Sequence, residues 1–377
     1  MRRRIGVIAA VLVVAAGLSV PAAGAAAHVL VGIQDDAQTV YGNPVTTFAT
    51  LKTLRTQVVR MNLNWGGRFG VANDRRPAHP ADPNDPSYDW TLYDRAVRYA
   101  AQNRIQVLFT ILFTPKWANG GKAQNVAPTN AARDLKNFAY AAAERYSGHF
   151  IPSNDDEQRY LPAVKKWLAW NEPNNPLWLQ QSAGGRFISP RSYAQICNAI
   201  YAGVHATNFA GEQVACGATG PRGNNQARSR RPSMSPLAFM RAARKAGMRR
   251  MDAYAHHPYY GSRRETPATP GRSGAVTLGN IRSLIALSNR LFGRKPIWIT
   301  EYGFQTPPDR LFAVSFAQQA RYVSQAYAIA RRTPQVTLMV WFMLRDDTNI
   351  GAGWQSGFIT ASGRHKPAFN TFRRLPH

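Results

Sequence analysis

Two glutamates in this sequence stand where a carboxylate is costly unless something uses it. Glu172 closes the run Lys166-Trp167-Leu168-Ala169-Trp170-Asn171-Glu172-Pro173-Asn174, and Glu301 closes Pro296-Ile297-Trp298-Ile299-Thr300-Glu301-Tyr302-Gly303. Each apolar run reads as a buried strand with a carboxylate at its C-terminal end, and Pro173 keeps the first from running on. A carboxylate placed there must find partners or shift its pKa. Either Glu alone reads equally well as a loop carboxylate or a helix N-cap. Two of them facing one cleft are what cleavage of a glycosidic bond requires. One carboxyl must be protonated to release the leaving oxygen, and the other must be ionised to attack the anomeric carbon. A separation of roughly 5–5.5 Å allows direct attack with retention of configuration.

The elements that must position this pair follow from the hydrophobic pattern. Short β-branched or aromatic runs recur at 28–34, 57–64, 105–113, 163–170, 213–218, 251–256, 296–301 and 336–344. Helical patterns alternate with them at 45–54, 91–102, 131–145, 192–206, 236–246, 278–292, 315–332 and 367–372. Near-continuous apolar strands such as VLFTILF fit a parallel sheet buried on both faces. Eight such units predict an α/β fold, a (β/α)8 TIM barrel forming a single catalytic domain over 28–377. A doubly wound open sheet is the runner-up, but Ile33-Gln34-Asp35-Asp36 carries no glycine-rich phosphate turn. In the barrel, Glu172 ends strand four and Glu301 strand seven, across the mouth from each other. The irregular segments 66–87 and 221–235 also fall at that mouth.

The segment WNEPN resembles the acid/base motif of family 5 cellulase-like and family 39 xylosidase-like enzymes, and ITEYGF resembles their nucleophile motif. The chain is thus similar to the clan of (β/α)8 retaining glycoside hydrolases. The resemblance implies Glu172 as acid/base, Glu301 as nucleophile and Asn171 as partner of the sugar 2-hydroxyl. It implies Arg60, late in strand two, as the cation beside the nucleophile; a structural salt bridge is the bland alternative. In His257-Pro258-Tyr259 it implies that Tyr259 bonds the nucleophile and His257 lines the sugar site. For His256 and His257 taken alone, polar satisfaction inside the barrel is the default. Trp341, at the end of strand eight, would lie under the sugar unless it is core. Trp65, Trp117, Trp178 and Trp354 fall in mouth loops, where Trp117 in particular is expected to contact substrate. Departures exist as well: family 39 xylosidases usually carry an added β-sandwich, and this chain stops soon after helix eight.

Composition sets the wider bounds. The chain has 377 residues, 45% of them hydrophobic, which excludes a disordered or disulfide-scaffolded protein. Arg2, Arg3 and Arg4, an uncharged apolar run and Ala25-Ala26-Ala27 form a secretory signal peptide over 1–27, and an uncleaved anchor is the alternative. Cleavage would leave no membrane span and a secreted, extracellular protein. There Cys197 and Cys216 can pair, or remain two buried thiols. The formal net charge of +27 raises nucleic acid or an acidic polymer as partner. No aromatic-basic stripe or nucleic-acid motif supports the former, and the scattered arginines read as a solvated surface; the partner that the resemblance implies is an oligo- or polysaccharide. The local cluster at 222–231 sits where it could meet an acidic glycan. No cofactor is expected, and Asp346-Asp347 reads as loop capping rather than a metal site. The alternative to an enzyme is a barrel that only grips glycans.

Overall fold

The computed structural model describes residues 28–72, 75–153, 155–350 and 353–376; the expected signal peptide at 1–27 lies outside them. Eight parallel strands close into a barrel. They are β1 (Leu30–Gln34), β2 (Val58–Asn64), β3 (Gln106–Leu112), β4 (Lys166–Ala169), β5 (Gln213–Thr219), β6 (Ala253–His256), β7 (Ile297–Tyr302) and β8 (Val336–Phe342). Each pairs with its neighbours in sequence, and β8 returns to β1.

Besides a single turn at Asp36–Thr39, the helices are α1 (Pro44–Thr53), α2 (Thr91–Gln102), α3 (Lys136–Arg145), α4 (Ser189–Val204), α5 (Pro236–Lys245), α6 (Ile281–Phe292), α7 (Phe316–Arg331) and α8 (Pro367–Arg373). Their starts are written in the sequence. Asn43 caps α1 through its side chain with Pro44 in the first turn, and Ser315 and Gln318 form a capping box on α7. Every expected strand and helix is present, with bounds that shift by a few residues. The stretch expected to open α3 as ordinary helix is instead one π turn, Ala131–Leu135.

Strand alternation divides the core into two layers. Val58, Leu108, Leu168, Ala215, Ala253, Trp298 and Leu338 pack together along the barrel axis. Val59, Phe109, Trp167, Tyr254, Ile299 and Met339 belong to the larger cluster between strands and helices.

Two strands break this alternation. From Met339 to Trp341 on β8, the paired residues on β7 run from Ile299 to Tyr302, so β7 carries an extra residue. Likewise β5 advances from Cys216 to Thr219 while β6 advances only from Tyr254 to His256. Such bulges re-aim side chains near functional sites.

Cys197 of α4 and Cys216 of β5 are bonded, with their Cα atoms 5.9 Å apart. Among the described residues no helix is long and apolar enough to cross a membrane.

Candidate active site

Arg60 is the organising residue at the C-terminal mouth. Its side chain is fully buried on β2, so its charge needs partners on every donor. Nη1 donates to Glu301 Oε1 at 2.6 Å, to Gln34 Oε1 at 2.6 Å and to the Thr300 carbonyl at 3.1 Å. Nη2 donates to Asn171 Oδ1 at 2.6 Å, and Nε to Thr110 Oγ1 at 2.8 Å. The extra residue in β7 lets Thr300 and Glu301 both meet this guanidinium. The structure therefore brings Arg60 against Glu301, as the sequence predicts. Arg60→Met would leave Glu301 and the other acceptors unpaired and is expected to lower the unfolding free energy by about 3–5 kcal/mol in urea titration. A loss below 1 kcal/mol would mean that the guanidinium is not holding the site together.

Glu301 accepts a second bond at Oε2 from the Tyr259 hydroxyl, 3.1 Å away. Burial pushes the Glu301 carboxyl up, but the pull of His257 and Arg60 and the bonds from Arg60 and Tyr259 outweigh it. The net effect holds Glu301 below the usual carboxylate range. Burial and the two glutamates hold the Tyr259 hydroxyl well above its ordinary value, so it stays a donor.

Glu172 sits on a backbone under strain. Trp170 has φ 68° and Glu172 has φ 34°, a region that side chains rarely adopt. Pro173 and a bond from Glu172 N to the Ala218 carbonyl hold this turn. Asn175 Nδ2 donates to Glu172 Oε2 at 2.7 Å. Gly220 flanks the carboxyl so closely that a Cβ there would lie 3.0 Å from its carbon. Asn174 fastens the following loop, bonding both Gly220 and the Met234 carbonyl.

His257 bridges the two carboxylates. Its Nδ1 lies 3.1 Å from Glu172 Oε1 and 3.7 Å from Glu301 Oε2, and its Nε2 faces Thr300 Oγ1 at 3.0 Å. One oxygen of each glutamate and one ring nitrogen fall within 4.8 Å of one another. A cation would fit this trio poorly, because Arg60 and Tyr259 already occupy both oxygens of Glu301. His256 points the other way, as adjacent strand residues must. It is satisfied by Thr219 and the Val276 carbonyl, and burial pushes it down to about 3, so it stays neutral.

The two carboxylates open into a cavity of about 550 Å³. Asn171, Tyr259, Tyr260, Trp178, Phe312, Phe342 and Trp354 are among its walls. Since Arg60 can only donate, the bond from Arg60 fixes the Asn171 oxygen, and the amide NH2 is the group left for a ligand.

Two expected sugar contacts are corrected. Trp341 is fully buried in the outer layer, stacked with Phe358 and donating Nε1 to the Ser356 carbonyl. Leu338 and Val340 face the axis, so Trp341 must face the helices; Phe342, one step on, lines the cavity instead. Trp117 does not line the cavity. Its Nε1 donates to the Ala72 carbonyl and its ring packs edge-on against Trp65. Asp346 bonds the Gly357 N–H, as loop capping implies, and also pairs with buried Lys366 at 2.6 Å.

Asp35 and Asp36, which the sequence reading did not single out, also line the cavity. Asp35 Oδ2 accepts from Leu344 N and Arg345 N, tying β1 to the loop after β8. Asp36 Oδ1 accepts from Asn62 N at 3.1 Å. Burial pushes Asp36 from 3.8 up to about 6, against the Asn62 bond and the Arg60 charge. A raised folded-state pKa means that the folded form binds the proton more tightly, so this group costs stability as pH rises from 3.8 through about 6. Asp36→Asn, which keeps the acceptor for Asn62, is expected to reduce the fall in melting temperature across that window. Parallel melting curves for both proteins against pH would contradict it.

The sequence profile of glycosyl hydrolase catalytic cores matches residues 156–372. Among curated proteins none matches the sequence. A family 39 glycoside hydrolase from the gut symbiont Bacteroides cellulosilyticus WH2 superimposes with a TM-score of 0.64 at 17% identity, covering 92% of this chain and 63% of that one. A glucosidase from Croceicoccus marinus gives 0.65 at 12% identity, covering 92% and 67%. Fungal β-1,4-galactanases give 0.58 at 13% identity, covering 93% and 100%. At these identities the likeness is one of fold, and this chain spans less than two thirds of the first of these structures. The profile match extends over more than half of the chain and takes in both Glu172 and Glu301, so the protein belongs to the glycosyl hydrolase catalytic core family.

Proposed function

We propose that this protein is an exported hydrolase that cleaves β-glycosidic bonds with retention of configuration. The observation that carries the reading is the approach of Glu172 and Glu301 oxygens to within 4.8 Å across one open cavity. So close an approach favours direct attack by one carboxylate over the wider separation that an inverting enzyme keeps for its water. In the first step Glu172 gives its proton to the leaving oxygen while a Glu301 oxygen bonds the anomeric carbon. In the second, Glu172 takes a proton from water, whose oxygen displaces Glu301 and restores both groups.

The surroundings support these roles. Arg60 and Tyr259 keep Glu301 ionised and aimed. His257 Nδ1 accepts a bond when Glu172 is protonated and donates one when it is ionised, with Thr300 able to match either tautomer at Nε2. Asn171 offers its NH2 to the sugar 2-hydroxyl. Phe342 and Trp354 supply aromatic faces in place of Trp341. Export is supported by the leader-like residues 1–27 and by the Cys197–Cys216 bond, which suits an oxidising compartment.

The experiment is release of nitrophenol from a panel of aryl β-glycosides, together with release of reducing ends from polysaccharides. Turnover that disappears in Glu301→Ala supports the proposal. No turnover on any member of the panel would favour a barrel that only binds glycans.

A further inference from the structure

The cleft has two electrical sides, and the basic one lies where the leaving group must go. Glu172 has to touch the leaving oxygen, so the departing part of the substrate runs out past Glu172 and its partner Asn175. Asn175 and Arg222 line the main cavity and also a second groove of about 670 Å³ beside it. Arg231 and Arg272 add two more cations to that groove, and no Asp or Glu lines it among the described residues. Arg222 feels the charges of Glu265 and Glu172. Arg231 and Arg272 are exposed, and neither forms an ion pair among the described residues. The main cavity, by contrast, carries Asp35, Asp36 and Glu301, with Arg60 spent on its own partners.

The groove wall is a built surface rather than a loose loop. Asn224 Oδ1 accepts from Gln226 N and Ser233 N, Asn225 bonds Ser235 in both directions, and Asn174 holds the Met234 carbonyl. Arginine forks match carboxylate and sulfate oxygens in bidentate fashion.

We propose that Arg222, Arg231 and Arg272 form a subsite for an anionic sugar, a uronate or a sulfated residue, on the leaving-group side of the scissile bond. The glycone over Glu301 is uncharged. This deepens the glycoside hydrolase reading and rests on it.

The test takes the glycone that the aryl panel selects and β-links it to glucose, to glucuronate or to glucose 6-sulfate. Wild type is expected to favour an anionic member by about tenfold in kcat/KM at low salt, with the preference shrinking as NaCl rises toward about 0.5 M. The two anionic arms tell carboxylate from sulfate. Arg231→Ser/Arg272→Ser, both exposed, is expected to remove the preference and leave turnover of the glucose-linked substrate intact. Equal turnover of neutral and anionic substrates by wild type, or an equal fall on both in the double variant, overturns the subsite. If wild type turns over no glycoside at all, the hydrolase reading itself fails. Equilibrium binding of a glucose–glucuronate tetrasaccharide then decides the groove, and equal affinity of wild type and double variant overturns it.

Discussion

Glu301→Ala is expected to lose turnover by on the order of 10⁵-fold, the scale seen when a covalent nucleophile is removed. The variant should still bind substrate, because Asn171, Tyr259 and the aromatic walls remain. Azide is small enough to enter the space left by the carboxylate and needs no proton removed. It should restore turnover and yield a glycosyl azide of inverted configuration, since only one displacement then occurs. The retained Arg60 charge favours an anion at that spot. Assay of nitrophenol release with and without azide, followed by NMR of the product, reads both effects. A loss of less than about tenfold, or rescue without a glycosyl azide, would mean that Glu301 is not the nucleophile.

Glu172→Ala is expected to act unequally on different substrates. A leaving group that must be protonated should lose about 10²–10⁴-fold, the usual worth of a positioned general acid. A dinitrophenolate leaves without help, so its release in the first step should be nearly unchanged. Breakdown of the glycosyl-enzyme still needs a base, so that intermediate should accumulate and KM should fall with kcat. Azide, again needing no base, should give a glycosyl azide of retained configuration. An equal loss for every leaving group would remove Glu172 from the acid/base role. The opposite configurations of the two azide products make the pair of variants a stereochemical check on each other.

How far the site was legible in the sequence depends on what each residue does to its strand. Glu172 and Glu301 stood out because each ends an apolar run, where a carboxylate has no cheap excuse. Arg60 was legible through the resemblance, and because a buried arginine needs an anion; the structure supplies Glu301. The same rule applies to Ile33-Gln34-Asp35-Asp36, where the strand ends on the two aspartates that line the cavity. Trp341 was misplaced by a single step of alternation. Which face of β8 it takes depends on where the strand slips against β7, between Val336 and Leu338 and again after Met339. Bulges carry no signature in one sequence, so inward and outward positions beyond them are unreadable. Trp117 failed for a different reason. A loop tryptophan is drawn as readily to another ring as to a ligand, and Trp65 was there to receive it. The sequence does not decide the cysteine pair, because touching elements permit a bond without requiring one. The strand and helix series survived because periodicity over eight repeats of one pattern is a long-range signal, whereas loop walls such as Phe312 and Tyr260 are set by contacts far apart in the chain.

Glu172 and Glu301 act together on one glycosidic bond, the first on its oxygen and the second on its anomeric carbon. NMR of the anomeric proton during the first minutes of hydrolysis, before mutarotation, reads this directly. The β-anomer should appear first from a β-glycoside. First appearance of the α-anomer would mean a single displacement by water and would contradict Glu301 as nucleophile.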